Sequence, residues 1–455
     1  MSIAYPPLTE PRPDHARRSD VQTPGSDVTQ TTLRSWGPKF TISLLDQGLT
    51  AGVGFLVNLL LARWLRADAY GAFAVAFASY LFIAGFHNVL LLEPISVMGP
   101  LHHAHNLQRY FRTQLTIHMI VTGVLSLLAL ITAGVTWLVT PQSPLCGAMF
   151  GIGIALPFLL LLWLARRMCY VVQLPAIALE GSIFYLAFVA AGLFLLARLT
   201  VLSPFAAFLL TGLGSLLGAG LLLRRLGIWT HSDLHSPAVS WSGVFRENWV
   251  YGRWLLGSTV LSFANGQIQT FIVAAVVGLG AAGTLRAMQL PSVLMAQTIV
   301  AASLLILPSL AYDFGRADLQ STRNKAYGMS TLLGVTAALY AALLFGFSSP
   351  VEKLLYGGRY FDSARLIPML ALMNVGTGLA SGFSLLLRAM RKTHVEFAAY
   401  GLAALVSLTS AYFLARRWGI AGAAISMVLG SSTLAIFTYL FCWSTGSTAG
   451  RLEEI

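Results

Sequence analysis

The sequence predicts an all-α polytopic membrane protein, with about twelve transmembrane helices arranged as two six-helix lobes. Three observations lead there. Of 455 residues, 56% are hydrophobic and 10% charged, with a mean hydropathy of +0.72; soluble domains average about 25% charged residues. Apolar runs long enough to span a bilayer, about 20 residues each, recur along the chain without period-two alternation. Lipid admits only helices and closed barrels, and this pattern selects helices. Finally, the runs fall into two sets of six, one on each side of a polar stretch.

Residues 1–35 are polar, contain five prolines, and set Arg12, Arg17, Arg18 and Arg34 against Glu10, Asp14, Asp20 and Asp27. They read as a disordered cytoplasmic tail and lack the apolar core of a cleavable signal peptide. The N-terminal lobe, 36–223, carries spans at 40–61, 72–98, 113–138, 145–164, 176–197 and 202–223. The stretch 224–253, with His231, Asp233, Pro237 and Glu247, reads as a cytoplasmic linker. The C-terminal lobe, 254–442, carries spans at 254–278, 282–311, 327–347, 366–387, 395–415 and 420–442, and 443–455 is a second cytoplasmic tail.

Charge tests this count. With both termini cytoplasmic and the spans alternating, 20 of the 29 Lys and Arg residues fall on inner segments, as the positive-inside rule requires. Trp64, Trp137, Trp418 and Trp443 lie near span ends, where aromatic anchors belong. The net charge of +12 is therefore topological, and nucleic-acid binding is not expected. Cys146, Cys169 and Cys442 lie far apart, which argues against a disulfide framework or a zinc site. No metal site or cofactor is expected. There is no GxxxxGK[ST], HExxH or GxSxG motif, so ATP-driven transport and the corresponding hydrolases are disfavoured.

The halves carry a faint repeat. A gapless shift of 212 residues sets Asp46 on Ser258, Thr50 on Ser262, Asn58 on Thr270 and Gly71 on Gly283, and a second register sets Arg166 on Arg388. Parallel repeats of this kind build transporters that bind between lobes.

Asp46, Thr50, Gly54 and Asn58 recur every four residues and define one helix face. Ser258, Ser262, Asn265 and Gln269 define another. Asn58, Asn265 and Gln269 are substrate-cavity candidates, against the alternative that small and polar residues simply join membrane helices. Asp46 stands apart, because a carboxylate inside a span is costly unless paired, hydrated or protonated. It is the first ion-coupling candidate; a structural Arg partner or interfacial hydration is the alternative. Glu93, Glu180 and Glu396 are further ion-coupling candidates, each close enough to a span end for solvation to explain it.

Arg166, Arg286 and Arg388 are the basic cavity candidates, since guanidinium matches diphosphate. The positive-inside rule also accounts for Arg166 and Arg388. Arg286 lies just inside the eighth span on the outer side, where a cavity or an ion pair is the better account. His102, His103 and His105 read as a solvated loop, and His87 and His118 as polar residues within or beside spans.

The first span ends in Ala62-Arg63-Trp64-Leu65, Tyr70-Gly71 opens the second, and Gly283–Arg286 opens the eighth. With the twelve-span plan, these features resemble the polysaccharide exporters, or Wzx-like flippases, of the multidrug/oligosaccharidyl-lipid/polysaccharide (MOP) superfamily, over most of 36–442. The resemblance implies a MATE/MOP-like fold, not an enzyme, in a bacterial inner membrane. Two lobes would rock to carry undecaprenyl-diphosphate-linked glycan from the cytoplasmic to the periplasmic leaflet. It further implies coupling to proton or sodium, and partner polysaccharide polymerase and chain-length proteins. A MATE-type drug/cation antiporter would want a more acidic cavity than this Arg-rich chain offers. A glycan polymerase or ligase would want a larger outer loop than 348–365.

Overall fold

The computed structural model describes residues 27–228, 240–315, 319–390 and 392–449. The N-terminal lobe comprises α1 (Asp27–Trp64), α2 (Ala67–His87), α3 (Glu93–His102), α4 (Leu107–Val139), α5 (Pro144–Val171), α6 (Pro175–Arg198) and α7 (Pro204–Arg225). A π turn, Asn88–Leu92, joins α2 to α3 in one long crossing. The C-terminal lobe comprises α8 (Trp241–Gly266), α9 (Ile268–Val276), α10 (Leu279–Gly315), α11 (Leu319–Tyr356), α12 (Leu366–Ala371), α13 (Met373–Ala389) and α14 (Thr393–Ala449). There is no strand among the described residues.

Among the described residues nine helices are long and apolar enough to cross a membrane, or ten if the pair α8–α9, bent by 48°, is taken as one crossing. The 57-residue α14 turns back on itself at Gly419, whose φ of +58° and ψ of −133° lie where an L side chain is strained, so it supplies two crossings. α10, with 37 residues, is longer than a bilayer crossing needs. We call the face on which α1 begins the terminal face.

Several boundaries differ from the hydropathy reading. α1 begins at Asp27, inside the expected tail, and α14 runs on to Ala449. Trp241–Arg253, expected as linker, is the first half of α8. Hydropathy finds only the lipid-facing part of a helix, and polar turns that project beyond it are invisible to it. His231, Asp233 and Pro237 lie outside the described residues.

The lobes share a large core on one side and meet through α8 on the other, where Gln114 of α4 and Asn248 of α8 exchange hydrogen bonds at 3.0–3.1 Å. In the half far from the terminal face a single core runs through both, with Leu61, Tyr70 and Phe73 packed in continuity with Leu285, Met288 and Ile367. In the terminal half the core divides. Tyr110, Leu164, Met168 and Leu222 fill the N-terminal lobe, with Val244 of α8; Met329, Leu333, Phe383 and Leu386 fill the C-terminal one. Lipid-facing surface is correspondingly apolar, as on α4, where Leu128, Ile131 and Val135 are exposed.

The far-side junction is a helix crossing at two glycines. A Cβ on Gly71 would stand 1.7 Å from the Leu279 carbonyl oxygen, and one on Gly283 would stand 2.8 Å from the Gly71 nitrogen. These are the two glycines that the 212-residue register equates. Equivalent points of two repeats meet only close to the axis that relates them.

Candidate functional site

Three polar assemblies occupy the interior. The first closes the terminal half of the N-terminal lobe. Asp46 of α1 is fully buried. One carboxylate oxygen accepts from Arg166 Nη2 of α5 at 2.6 Å and from the Tyr170 hydroxyl; the other accepts from Ser182 Oγ of α6 at 2.5 Å. Thr50 donates to the Asp46 carbonyl at 2.8 Å, and its hydroxyl lies 3.4 Å from that of Ser182. A buried carboxylate is tolerable when its lone pairs are satisfied and its charge is matched, and both conditions hold. Arg166 Nε has no partner. The pair draws α1 onto α5 and α6 across 120 residues of sequence.

The second assembly lies at the inter-lobe seam. Asn58 is one turn from Gly54, whose carbonyl accepts from its Nδ2 at 2.8 Å. Its Oδ1 faces Tyr70 Oη at 3.4 Å and Arg286 Nε at 3.5 Å, and the Arg286 guanidinium sits 5.5 Å from the centre of the Phe77 ring. Arg286 makes no ion pair among the described residues. The spacing of four that links Asp46 to Asn58 advances about 400° per step, so the polar stripe drifts by roughly 40° each time. It starts inside the lobe at Asp46 and ends on the seam at Asn58.

The third assembly is a clasp on the far face. Arg359, in the turn after α11, donates to the carbonyls of Arg63 at 2.8 Å and Leu65 at 2.5 Å. Tyr360 donates through its hydroxyl to the Ala62 carbonyl at 3.2 Å, and its backbone N–H is held by the buried Glu352 at 2.8 Å. Tyr356 donates to the Ala287 carbonyl at 2.5 Å. The end of α1 is thus held by the C-terminal lobe. Burial pushes the Tyr360 phenol up to about 12, so it remains a donor.

The other candidates are dispersed. Glu93 accepts from Asn88 Nδ2 at 2.9 Å within the π turn, and Asn88 also faces Arg167 at 3.4 Å. Glu180 forms a half-exposed pair with Arg225 at 3.3 Å. Glu396 takes Arg388 in a bidentate contact, 2.8–3.0 Å, at the entry to α14. Gln269 donates to Ser407 at 2.6 Å, while Gln269 Oε1 and Asn265 Oδ1 are buried without partners. His103 is held by Glu247 at 3.1 Å and stacks on Tyr110 at 4.3 Å. No group of three or more metal-ligating side chains occurs among the described residues.

Sequence reasoning missed Tyr170, Ser182, Glu352 and Arg359. Tyr170 and Ser182 carry no spacing signal relative to Asp46. Glu352, two residues after Pro350 at a helix end, reads as interfacial, although its burial is complete.

No family model and no curated protein matches the sequence. Solved structures do. An inward-facing multidrug resistance MATE transporter of the MOP superfamily aligns over 90% of this chain and 99% of its own, with a TM-score of 0.75 at 11% identity. The lipid II flippase MurJ, in an inward closed conformation, aligns over 88% and 87%, with a TM-score of 0.71 at 13% identity. The chain has the MATE/MOP fold. An outward-facing MATE transporter of the same superfamily aligns over 90% and 95%, with a TM-score of 0.64 at 11% identity. At such identities the MOP likeness is one of fold, and the site residues must be judged on their own geometry.

Proposed function

We propose that the protein flips an undecaprenyl-diphosphate-linked oligosaccharide from the cytoplasmic to the periplasmic leaflet of a bacterial inner membrane, in the biosynthesis of a surface polysaccharide. The observation that carries this reading is Arg286. A guanidinium at the seam between two lobes, without a carboxylate to neutralise it, suits a diphosphate that arrives from outside the protein. Asn58 and Tyr70 orient it and Phe77 shields one side.

The positive-inside orientation makes the terminal face cytoplasmic and the clasp periplasmic. The large core shared by both lobes lies on the periplasmic side, while on the cytoplasmic side α8 bridges the lobes through Gln114–Asn248 and His103–Glu247, contacts that must part for loading from the cytoplasm. Asp46 is the coupling group. A proton or sodium ion on its carboxylate competes with Arg166, loosens α1 from α5 and α6, and frees the helix whose other end the clasp holds. Glycan polymerase and chain-length proteins act on the delivered substrate. Arg166 already neutralises Asp46, which weighs against a drug/cation antiporter, whose organic cation would need an uncompensated acid.

Glycan analysis of a strain lacking the protein tests the reading. The expected outcome is loss of one surface polysaccharide, with lipid-diphosphate-linked repeat units accumulating on the cytoplasmic side. Unchanged polysaccharide with heightened sensitivity to cationic drugs overturns it in favour of the antiporter.

A further inference from the structure

Two histidines in the N-terminal lobe take no part in the assemblies above. His87, the last residue of α2, and His118 of α4 are both buried. Their rings meet edge to face at 78°, with His87 Nε2 and His118 Nδ1 2.9 Å apart. His118 Nε2 lies 3.2 Å from the Pro157 carbonyl oxygen of α5. Pro157 has no N–H and so frees the carbonyl of Gly153, which accepts from Ser126 Oγ, two turns along α4 from His118. α4 is thus fastened to the proline break of α5 at two points.

Hydrogen-bond accounting fixes both tautomers. A carbonyl only accepts, so His118 Nε2 carries the proton. A neutral imidazole has one N–H, so His118 Nδ1 must accept, and His87 Nε2 must donate to it. His87 Nδ1 is then a bare acceptor. It is buried and has no partner. The chain of donors runs one way, from a nitrogen that lacks a proton to a backbone carbonyl. The π turn begins at the next residue, Asn88; such turns are frequent at functional sites. α8 of the other lobe rests on that turn, and the Phe82 ring of α2 packs tilted against Phe263 of α8, with centroids 4.6 Å apart.

The charged groups on the surrounding elements are engaged elsewhere or, like Arg246 of α8, exposed. On α3 and α5, Glu93 and Arg167 meet Asn88, and Arg166 meets Asp46. On α4, Arg112 donates to the Ile228 carbonyl, and on α8, Glu247 holds His103; Arg253 of α8 also makes contacts of its own. None bonds either imidazole. The pair as described is neutral and sealed.

We propose that His87 and His118 form a proton-binding site, separate from Asp46, which takes up one proton at His87 Nδ1 when α2 flexes at its π turn. The incoming proton makes His87 an imidazolium. Its Nε2 proton then passes to His118 Nδ1, so that His118 holds the charge with both N–H groups bonded, and His87 is neutral again with its proton on Nδ1. One proton enters and one positive charge is gained. A cation is costly in a dry apolar site, so occupancy favours the conformation in which the turn admits water, and linkage makes a bound proton favour that conformation in return. The role in a transport cycle rests on the flippase reading; the proton binding does not.

The test is 15N-histidine solid-state NMR on the full chain in phosphatidylethanolamine/phosphatidylglycerol vesicles, titrated from pH 8 to pH 5. At pH 8 the expected spectrum contains a hydrogen-bonded imidazole pair with one bare Nδ1. On acidification one imidazole of that pair becomes imidazolium. His87→Gln, which keeps a side-chain donor for His118 but cannot take the proton, loses that transition and binds one proton fewer per chain. If the wild-type pair keeps its neutral signals down to pH 5, the proposal fails, whether or not the variant folds. If the chain titrates as expected while the deletion strain keeps its surface polysaccharide, the flippase reading alone fails.

Discussion

The two lobes share an architecture and differ in where they keep charge. In the N-terminal lobe Arg166 reaches across 120 residues of sequence to a fully buried carboxylate on the first helix. In the C-terminal lobe Arg388, its partner in the repeat, turns to Glu396 only eight residues away, and its side chain is 49% exposed. The residue equated with Asp46 is Ser258, whose hydroxyl returns to the carbonyl of Leu255 at 2.8 Å. One lobe therefore ties its leading helix down with an ion pair, and the other does not. The C-terminal lobe instead contributes the unpaired cation, Arg286, and the clasp residue, Arg359. The N-terminal lobe thus holds the buried, neutralised pair, and the C-terminal lobe supplies the cation at the seam and the clasp.

The junction shared by both lobes sets the largest effect. At Gly71 the obstacle is backbone, which no side-chain rotation can relieve. Gly71→Val should cost about 3 kcal/mol or more and abolish monodisperse protein in size-exclusion chromatography. The same substitution at Gly54, where a Cβ would meet nothing, should leave the elution profile unchanged.

Asp46→Ala comes next. It strands Arg166 in a buried site, and breaking a buried pair from one side costs about 3–5 kcal/mol. Thermal unfolding should show a large fall in Tm. Asp46→Ala/Arg166→Leu should recover most of it, because the double replacement leaves no unmatched charge, yet transport should stay lost if Asp46 is the coupling group. Full transport in a well-expressed Asp46→Asn protein would remove that role.

These residues also mark what was legible in the sequence. The helical, many-crossing fold could be read because a bilayer imposes a length of apolar sequence that few other constraints mimic. Asp46 could be read because a carboxylate within a span needs a reason. Arg166 could not be assigned to it, since its place near an inner span end already had a sufficient explanation in topology. Ser182 and Tyr170 were invisible because packing, not spacing, brings them to Asp46. Asn58 was placed on Asp46's face, and the helical drift carried it to the seam. The pairing of Gly71 with Gly283 was present in the 212-residue register, but in a chain so rich in small residues only their contact gives it meaning.

The clasp is a smaller lever on the same comparison. Arg359→Ala removes two hydrogen bonds that an exposed side chain makes to the N-terminal lobe, each worth about 0.5–1.5 kcal/mol. The protein should remain folded while its population moves towards states open on the far face, since every 1.4 kcal/mol is roughly tenfold in an equilibrium. Spin labels at the exposed positions Thr200→Cys and Asp362→Cys should report a longer distance in Arg359→Ala than in the parent. An unchanged distance would mean that the shared hydrophobic core, not the clasp, sets the conformation.

The smallest effect is the most discriminating. Arg388→Ala removes a cation that water already reaches on one side, and exposed pairs contribute about 0–1 kcal/mol. Glu396 is better buried than its partner, so the upper end of that range applies, well below the loss at Asp46. Differential scanning of the two single variants in one detergent compares them directly. If Arg388→Ala lowers Tm as far as Asp46→Ala does, the lobes use their ion pairs equivalently, and placing the coupling in the N-terminal lobe loses its physical basis. If the fall is a small fraction of that at Asp46, the asymmetry is energetic as well as geometric: the first helix is held by a fully buried ion pair, and its counterpart α8 by packing and by the contacts of Asn248 with Gln114 and of Glu247 with His103.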